Sequence, residues 1–393
     1  MRVAIVTESF LPTVNGVTTS VCRVLEHLRD RGHEAMVIAP EGTAKGPTEF
    51  AGFPIHRMPS VAYRQFPVGI PGPHLSGLIA GFAPDVLHAA SPFILGAQAV
   101  TAAQRFDIPS VAVFQTDMAK YAGRNGLGRP AARLAWSVLK RIHQNATLTL
   151  VPSEASRHDL EVRGIERLAH WGRGVDSALY HPNRRADPGT RLLRAHLAAD
   201  DEVIVGYVGR LAPEKEVHRL ASLRRIPGMR LVLVGDGPAR PALARKLAHL
   251  EPTFLGSLRG EELATAYAAL DVFVHTGTTE TFGQTIQEAH AAGLPVVAPN
   301  VGGPVDLVRH GEDGFLVDPR HDHAYRRAVL SLVSNAEQRA RFGEAGRRAI
   351  LGRTWEHLGD ELIGHYQSVV GTAATRRSQE PANLSSSRQT GPS

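Results

Sequence analysis

The chain has 393 residues, of which 43% are hydrophobic and 21% are charged. This composition excludes a disordered protein, and the length predicts two globular domains of about 150–200 residues each. A single cysteine, Cys22, excludes an intramolecular disulfide. No apolar run reaches the roughly 18 residues of a membrane span. The apolar run at the N-terminus is too short for a signal peptide, so we expect a cytoplasmic protein.

Short runs rich in Val, Ile, Leu and Ala alternate with helical patterns along the chain. Such runs are typical of parallel strands that are buried on both faces and connected by helices. In the first half they predict strands at residues 3–7, 35–39, 85–89, 110–115 and 148–152. In the second half they predict strands at residues 203–209, 230–235, 253–256, 271–275, 295–299 and 315–318. The pattern therefore predicts an α/β fold of two Rossmann-like, doubly wound parallel-sheet domains.

A polar stretch at residues 181–185 separates the two halves. We therefore expect an N-terminal domain over residues 1–180 and a C-terminal domain over residues 187–352. Helical periodicity predicts a C-terminal helix over residues 353–370, which we expect to return to the N-terminal domain. The tail, residues 371–393, is rich in Ser, Thr, Gln and Pro and is expected to be disordered.

Glycine-rich or charged loops follow five consecutive strands of the second half. In open parallel sheets, ligands bind outside the carboxyl ends of the strands. One such loop is a weak signal, but five on one edge predict a single long ligand-binding cleft. The loops lie at residues 209–215, 235–238, 256–258, 276–283 and 300–304.

These loops carry the groups that a nucleoside diphosphate requires. Arg210 and Lys215 follow Gly209 across a strand-to-helix turn and can neutralise phosphates. Glu280 and Glu288 are separated by a predicted helix start, and eight helical residues rise about 12 Å. One carboxylate can therefore reach a sugar and the other the ribose hydroxyls. The free amides at the helix start would face the diphosphate between them.

The sequence has no Asp-x-Asp and no His/Cys cluster at metal-ligand spacing. Residues 321–323, His-Asp-His, are interpreted as a surface loop. We therefore expect a metal-independent site without a cofactor, in which Arg210 and Lys215 take the place of Mg²⁺. In the first half, Gly16 follows the first strand and allows the backbone to approach a ligand in the cleft.

Three of these motifs together resemble glycosyltransferase family 4, whose members are retaining enzymes with the GT-B fold of two Rossmann-like domains facing across a cleft. They are Pro-Thr-Val-Asn-Gly-Val at residues 12–17, Gly-Arg-Leu-Ala-Pro-Glu-Lys at residues 209–215, and the pair Glu280 and Glu288. The similarity covers residue 1 to about residue 370. The stretches at residues 114–117, 171–176 and 275–277 are similar to GDP-mannose-dependent α-mannosyltransferases that act on glycolipids of the inner membrane leaflet.

The resemblance implies roles for the residues of the donor site. Arg210 and Lys215 would hold the donor diphosphate and steady the leaving group, with Gly209 at the turn before them. Glu288 would bind the ribose. Gly16 would lie over the phosphates from the other domain. The implied donor is GDP-mannose, and the implied acceptor is a glycolipid hydroxyl.

The resemblance also implies contacts to the donor sugar. Glu280 would bind the sugar hydroxyls, with help from the backbone amides around Phe282 and Gly283. The candidate contacts to the sugar or the acceptor are Gln115, Asp117, Arg173 and His88. Many family members carry a His at the position of Gln115, and a Gln can hydrogen-bond a sugar but cannot act as an acid or base. A packed, structural His is an equal alternative for His88.

The stretch between residues 118 and 143 contains six Lys or Arg and no acid, which equals the whole net charge of +6. It indicates either a solvated helix face or contact with an anionic surface. Few aromatics and no zinc-finger spacing argue against nucleic acid. We expect segment 120–143 to contact anionic lipid and to place the protein peripherally on the inner face of the plasma membrane. Trp136 and Leu139 would flank the basic face and dip into the interface.

The implied reaction is sugar transfer with retention at the anomeric carbon. No carboxylate is assigned beneath the sugar, so the departing phosphate can take the acceptor proton on the same face. Three alternatives remain open. The chain can be a family 4 transferase with a UDP-sugar donor or a non-lipid acceptor, a sugar-nucleotide 2-epimerase, or a non-catalytic nucleotide-sugar-binding protein.

Overall fold

The computed structural model describes residues 1–13, 15–42, 45–63, 66–90, 92–115 and 128–385. Asp117 and the basic residues Lys120 and Arg124 lie outside the described residues. The chain folds into two compact units. Unit 1 consists of Met1–Pro152, Arg157–Trp171 and Leu358–Ser393, and unit 2 consists of Ser153–Ser156 and Gly172–His357. The main division follows Trp171, before the expected limit at residue 180.

Unit 1 is built on a predominantly parallel sheet. Its strands are β1 (Arg2–Thr7), β2 (Glu34–Pro40), β3 (Glu49–Phe50), β4 (Phe53–Met58), β5 (Ser60–Tyr63), β6 (Phe66–Gly69), β7 (Val86–Ala90), β8 (Ser110–Val113), β9 (Leu148–Val151) and β10 (Leu168–His170). The sheet order is β10-β9-β8-β7-β1-β2-β4-β3, while β5 and β6 form a separate antiparallel pair. All neighbours in the large sheet are parallel except β3 and β4.

Unit 2 contains a fully parallel sheet. Its strands are β11 (Val203–Val208), β12 (Met229–Val234), β13 (Thr253–Gly256), β14 (Val272–Val274), β15 (Val296–Pro299) and β16 (Gly314–Val317). Their order is β13-β12-β11-β14-β15-β16. The order reverses at β11, whose neighbours are β12 on one side and β14 on the other. The two parallel sheets confirm the predicted α/β fold of two Rossmann-like domains.

Helices connect the strands. In chain order they are α1 (Gly16–Asp30), α2 (Pro73–Phe82), α3 (Ile94–Arg105), α4 (Gly128–Asn145), α5 (Glu154–Glu161), α6 (Pro188–Leu197), α7 (Arg240–Lys246), α8 (Gly260–Ala269), α9 (Gln284–Ala291), α10 (Pro304–Leu307), α11 (Asp322–Ser334), α12 (Ala336–Ile350) and α13 (Trp355–Ser385). Short 3₁₀ helices lie at Pro182–Ala186, Pro213–Lys215, Val217–Leu223 and Ala248–Leu250. Within the described part of the chain, none of the helices combines the length and the apolar character that crossing a bilayer demands.

The last helix, α13, completes the core of unit 1. Leu362 and Tyr366 pack in the same buried cluster as the strands and α1. The hydroxyl of Tyr366 lies 2.6 Å from Nδ1 of His88, in the middle of β7. The indole Nε1 of Trp171 donates to the carbonyl of Leu358 at 2.8 Å. These buried hydrogen bonds tie α13 to β7 and to the residue that follows β10, which precede their partners by more than 180 residues.

Helix α13 extends beyond the limit expected from composition. It continues through Ser385, so residues 371–385 are helical although their composition predicts disorder. This stretch includes Ala, Arg, Gln and Glu, which have high helix propensity. Residues 386–393 lie outside the described residues.

Candidate functional site

The crevice between the carboxyl ends of β11 and β14 brings together side chains that are far apart in sequence. Lys215 lies in the turn after β11, and Glu280 lies in the loop after β14. Because the strand order reverses between these two neighbouring strands, their loops separate and leave a crevice. This is the position at which doubly wound sheets bind ligands.

Lys215 and Glu280 form an ion pair in this crevice. The Lys215 ammonium lies 2.6 Å from Oε2 of Glu280, and both side chains remain partly accessible. Burial raises the pKa of the Glu280 carboxyl, but the positive charge of Lys215, with smaller effects from His275 and Arg173, outweighs it. The net result is a pKa of about 2. Glu280 is therefore ionised at neutral pH and can act only as a hydrogen-bond acceptor there.

His275 directly follows β14 and was not among the predicted site residues. Its Nε2 lies 3.7 Å from Oε2 of Glu280, which is too long for a hydrogen bond. Burial lowers the pKa of His275 to about 4, with the Lys215 charge acting in the same direction. The imidazole is therefore neutral at pH 7. Its position at the end of a predicted strand is the sequence feature that could have identified it as a site residue.

Arg173 lies close enough to Glu280 to act on it electrostatically, while its expected contact to the sugar or acceptor stays a prediction. Its positive charge contributes to the low pKa of Glu280. Two side chains on α9 hold the backbone around it. Gln287 Nε2 donates to the carbonyl of Arg173 at 2.8 Å, and Gln284 Nε2 donates to that of Gly174 at 3.1 Å. The same helix that carries Glu288 therefore fixes the path of the chain at Arg173.

Arg210 lies at the start of the turn that ends with Lys215. Its guanidinium is 3.5 Å from the Glu214 carboxylate, and its side chain is 38% exposed. The turn requires glycine at two neighbouring strand ends. A Cβ on Gly235 would lie 2.0 Å from the carbonyl oxygen of Gly209, and both glycines have positive φ angles, +129° and +152°. The close approach of these loops therefore depends on the absence of side chains.

The loop after β14 leads into α9, which begins at Gln284 with Gly283 as its N-cap residue at φ +110°. The ring of Phe282 is buried in the core, so only its backbone is available to a ligand. The amide of Gly303 donates to the carbonyl of Glu280 at 2.9 Å. A Cβ on Gly303 would lie 2.2 Å from the carbonyl oxygen of Phe282. A second loop therefore packs closely against the residues that precede α9.

Glu288 lies on α9 and is half-buried. The hydroxyl of Tyr267 donates to its Oε2 at 2.8 Å. Burial raises the pKa of the Glu288 carboxyl to about 7, although hydrogen bonds from Tyr267 and Gln284 act in the opposite direction. Glu288 therefore changes its charge close to neutral pH, in contrast to Glu280.

The structure places His88 in the buried core of unit 1. It is 1% exposed, its Nδ1 is bonded to Tyr366, and burial lowers its pKa to about 3. Its ring also packs edge-on against Trp171, with centroids 6.4 Å apart. The expectation that His88 contacts the sugar or acceptor is therefore wrong. The residue is a neutral packing and hydrogen-bonding group.

Of the remaining predicted residues of unit 1, the structure describes Gly16 and Gln115. Gly16 is the first residue of α1, and Oδ1 of Asn15 accepts the amides of Val17 and Thr18 at 3.0 Å each. Gln115 follows β8 and is buried. Asp117 lies outside the described residues. The roles assigned to Gly16, Gln115 and Asp117 stay predictions.

Helix α4 exposes a basic face, which we define as Arg133, Ser137, Lys140 and Arg141. Leu134 on the same side is 68% exposed. The prediction that Trp136 and Leu139 dip into the membrane interface is wrong. Leu139 is buried, and Trp136 stacks on Phe114 with the Arg163 guanidinium 3.9 Å above its ring. Trp136 and Leu139 are held by packing within unit 1, whereas the basic face and Leu134 are exposed.

No group of three or more His, Cys, Asp or Glu side chains among the described residues is arranged to hold a metal ion. The positive charges beside the crevice are those of Lys215, Arg210 and Arg173.

Comparisons with known proteins match both halves of the chain. Residues 14–179 match the family described as Glycosyltransferase Family 4, and residues 190–349 match the family described as Glycosyl transferases group 1. A GDP-mannose-dependent alpha-mannosyltransferase from Mycolicibacterium smegmatis is 47% identical over 96% of this chain and 100% of the relative. One of the same name from Mycobacterium tuberculosis is 45% identical over 96% and 99%.

Solved structures share the fold. A sucrose-phosphate synthase from Thermosynechococcus elongatus has a TM-score of 0.78 over 94% of this chain and 99% of its own, at 22% sequence identity. At that identity the likeness concerns the fold alone.

Proposed function

Because this chain belongs to glycosyltransferase family 4, we propose that it transfers mannose from GDP-mannose to a hydroxyl of a membrane glycolipid, with retention at the anomeric carbon. The observation that carries this proposal is the meeting of Lys215 and Glu280 in the crevice between β11 and β14. An ammonium suits a phosphate, and an ionised carboxylate suits sugar hydroxyls. The names of the two mycobacterial relatives support GDP-mannose as the donor.

Lys215 and Arg210 stabilise the leaving group in this proposal. When the bond between the anomeric carbon and the phosphate oxygen breaks, negative charge develops on the diphosphate. Preorganised cations that face this charge lower the barrier because they need no reorganisation during the reaction. Arg173 adds a third positive charge beside Glu280. These cations take the part that a bound Mg²⁺ plays elsewhere, so we expect neither a metal nor a cofactor.

The two carboxylates orient the donor. Glu280, with its low pKa, accepts hydrogen bonds from mannose hydroxyls over the whole neutral range. Glu288, on α9, accepts hydrogen bonds from the ribose hydroxyls. The first amides of α9 have no partners within the helix and lie between these two contacts, where they suit the diphosphate.

Retention follows if the acceptor oxygen approaches the face from which the phosphate departs. The bond from the anomeric carbon to the acceptor oxygen forms as the bond to the phosphate oxygen breaks, and the acceptor proton passes to a phosphate oxygen. Neither an enzyme nucleophile nor a titrating His is required, in agreement with the neutral His275. Catalysis then rests on positioning and on charge stabilisation.

The basic face of α4 supports a lipid acceptor. The reactive hydroxyl of a glycolipid stays at headgroup level, so the enzyme has to reach the bilayer surface. Each Lys or Arg near an anionic leaflet contributes about 1 kcal/mol of attraction. Arg133, Lys140 and Arg141 are exposed together on α4, and Leu134 is exposed beside Arg133. We propose peripheral binding to the inner face of the plasma membrane through this surface.

Incubation of the protein with radiolabelled GDP-mannose and a membrane extract, followed by thin-layer chromatography, tests the proposal. Transfer yields a labelled lipid, epimerisation yields a new sugar nucleotide, and a non-catalytic sensor yields no product. A thermal-shift series with GDP, UDP and ADP tests the base, because a ligand that binds the folded state raises its stability. Stabilisation by UDP and not by GDP would overturn the mannosyltransferase assignment.

A further inference from the structure

We propose that Glu216 and Thr278 are positioning residues that hold Lys215 in the orientation needed to stabilise the departing diphosphate, an inference that rests on the proposed function. Neither residue is expected to touch the donor. Both act through the backbone on either side of the crevice, where the turn after β11 meets the loop after β14.

Three side-chain contacts join this turn and this loop. The Thr276 hydroxyl donates to the carbonyl of Lys215 at 2.7 Å. The Thr278 hydroxyl donates to Oε1 of Glu216 at 2.6 Å. Lys215 itself reaches Glu280 at 2.6 Å. The contacts join residues 61, 62 and 65 positions apart in sequence. Two consecutive residues of the turn are therefore each bonded to the opposite loop.

Glu216 has an unusual backbone for its residue type. Its φ and ψ are +52° and +30°, in the left-handed region that favours glycine. It lies between the 3₁₀ helices Pro213–Lys215 and Val217–Leu223, so this conformation changes the direction of the chain immediately after Lys215. A non-glycine residue whose backbone is kept in such a conformation is held there by its surroundings.

The surroundings of Glu216 account for that conformation. The residue is 5% exposed. Its Oε1 accepts a hydrogen bond from the Thr278 hydroxyl, and its Oε2 accepts one from Nε of Arg219 at 2.6 Å. Arg219 also donates to the carbonyl of Pro319. Both carboxylate oxygens are thus engaged, one by the loop after β14 and the other by the following 3₁₀ helix, and a buried charge with two such partners resists displacement.

These contacts restrict the flexible side chain of Lys215. A lysine has four rotatable bonds and no fixed hydrogen-bonding plane, so its position depends on the direction of its Cα–Cβ bond and on its partners. The bonds at the Lys215 carbonyl and at the next residue fix that direction. An error of about 1 Å at a catalytic group can reduce the rate about 10²-fold.

The test is a double-mutant cycle on the full-length protein, with GDP-mannose turnover and calorimetric GDP binding as measurements. Thr278→Val keeps the side-chain volume and removes the hydroxyl. We expect it to lower kcat at least about 10-fold. Thr278→Ser, which restores the hydroxyl, should recover most of that loss. In a Lys215→Ala background, Thr278→Val should change kcat by less than about 2-fold, because the group it positions is already absent.

Thr101→Val is the matched control, since the Thr101 hydroxyl donates to a backbone carbonyl at 2.9 Å on the exposed side of α3. It should change neither measurement in either background. Parental kcat in Thr278→Val, or equal losses in both backgrounds, would overturn the positioning role. A wild-type protein that neither binds GDP nor transfers mannose would overturn the proposed function together with this inference.

Glu216→Gly separates the conformation from the carboxylate. Glycine adopts the left-handed backbone freely but cannot bond Thr278 or Arg219. We expect this variant to lose turnover as Thr278→Val does. Full activity in Glu216→Gly would show that the backbone conformation alone suffices, and would remove Glu216 from the positioning system.

Discussion

The ammonium of Lys215 lies 2.6 Å from a carboxylate oxygen of Glu280, so two groups assigned to different parts of the donor neutralise each other before the donor binds. A diphosphate has to draw Lys215 away and leaves Glu280 without this partner. The complete donor can compensate, because its sugar hydroxyls satisfy the carboxylate. A nucleoside diphosphate product has no sugar hydroxyls of this kind and cannot satisfy the carboxylate. The pair should therefore favour the donor over the product.

Glu280→Gln should consequently bind GDP more tightly than the wild-type protein does while its turnover falls. The substitution frees Lys215 for the phosphates and removes a negative charge beside them. A GDP dissociation constant lowered about 5-fold is expected from the size of a partly exposed ion pair. Calorimetry checks this, with Glu312→Gln, an exposed residue of unit 2, as the control. Unchanged or weaker GDP binding in Glu280→Gln would contradict the competition.

Lys215→Ala should reduce kcat at least about 10²-fold, which is the scale for removal of one preorganised charge stabiliser. Its thermal midpoint should stay close to that of the parent, because the side chain is partly exposed and lies outside the core. Lys246→Ala, an exposed lysine on α7, is the control and should leave kcat unchanged. Turnover near that of the wild-type protein would remove Lys215 from the mechanism.

Donor affinity should depend on pH through Glu288. Burial raises the pKa of this carboxyl to about 7, and the ribose hydroxyls require its ionised form as acceptor. A proton on Glu288 therefore competes with the donor. Affinity is present above this pKa and is lost as the pH falls through it. We expect the KM for GDP-mannose to be several-fold lower at pH 8 than at pH 6, with a smaller change in kcat.

Two variants identify the group that titrates. Glu288→Gln should raise the donor KM and abolish its pH dependence in this range. Tyr267→Phe removes a hydrogen bond that lowers the Glu288 pKa, so the midpoint should move to higher pH. A wild-type pH profile in Glu288→Gln would assign the titration to another group. An unchanged KM with a collapsed kcat in Glu288→Gln would contradict the ribose contact.

Membrane binding should require the basic face of α4. In co-sedimentation with liposomes, we expect binding that depends on anionic lipid and weakens with salt, because the Debye length shrinks. Arg133→Glu combined with Lys140→Glu should abolish pelleting. The control combines Arg245→Glu with Lys246→Glu, at two exposed positions on α7. It makes the same change of charge in unit 2 and should leave pelleting unchanged. If both double variants pelleted as well as the wild-type protein, the basic face would be excluded as the contact.

Tyr366→Phe should destabilise the protein without affecting the donor site. It leaves a buried His88 ring nitrogen without its 2.6 Å partner, at a cost of about 1–3 kcal/mol in the free energy of unfolding. Denaturant unfolding measures the loss. GDP affinity should be unchanged, because His88 serves the core. A selective loss of turnover with normal stability would instead return His88 to the functional site.

The strands that form the centre of each sheet could be predicted from sequence, because burial on both faces leaves continuous apolar runs such as β1 and β11. Strands β3 to β6 and β10 were not predicted. Strand β4 contains Pro54, His56 and Arg57, which interrupt the apolar pattern, and β10 has only three residues at the sheet edge. Short edge strands are specified by their neighbours and leave little pattern in the chain itself.

The residue types of the site were also predicted, but their contacts were not. Arg210, Lys215 and Glu280 were identified because they follow strand ends, and Glu288 because of its helical spacing from Glu280. Their pairing depends on the neighbouring positions of β11 and β14, which only the sheet order defines. The opposite error occurred at His88. Its position at the end of a predicted strand suggested a ligand contact, whereas its partner, Tyr366, lies 278 residues away in sequence.

The return of α13 to unit 1 also determines the order in which the units can be completed during synthesis. Strands β1 to β10 leave the ribosome first, yet the residues that cover His88 and Trp171 begin only at Leu358. Unit 2 has all its residues once His357 has emerged. Domains generally fold as units when their residues become available. Unit 1, which is translated first, is thus completed last. The apolar surface that α13 covers stays exposed on the nascent chain until then.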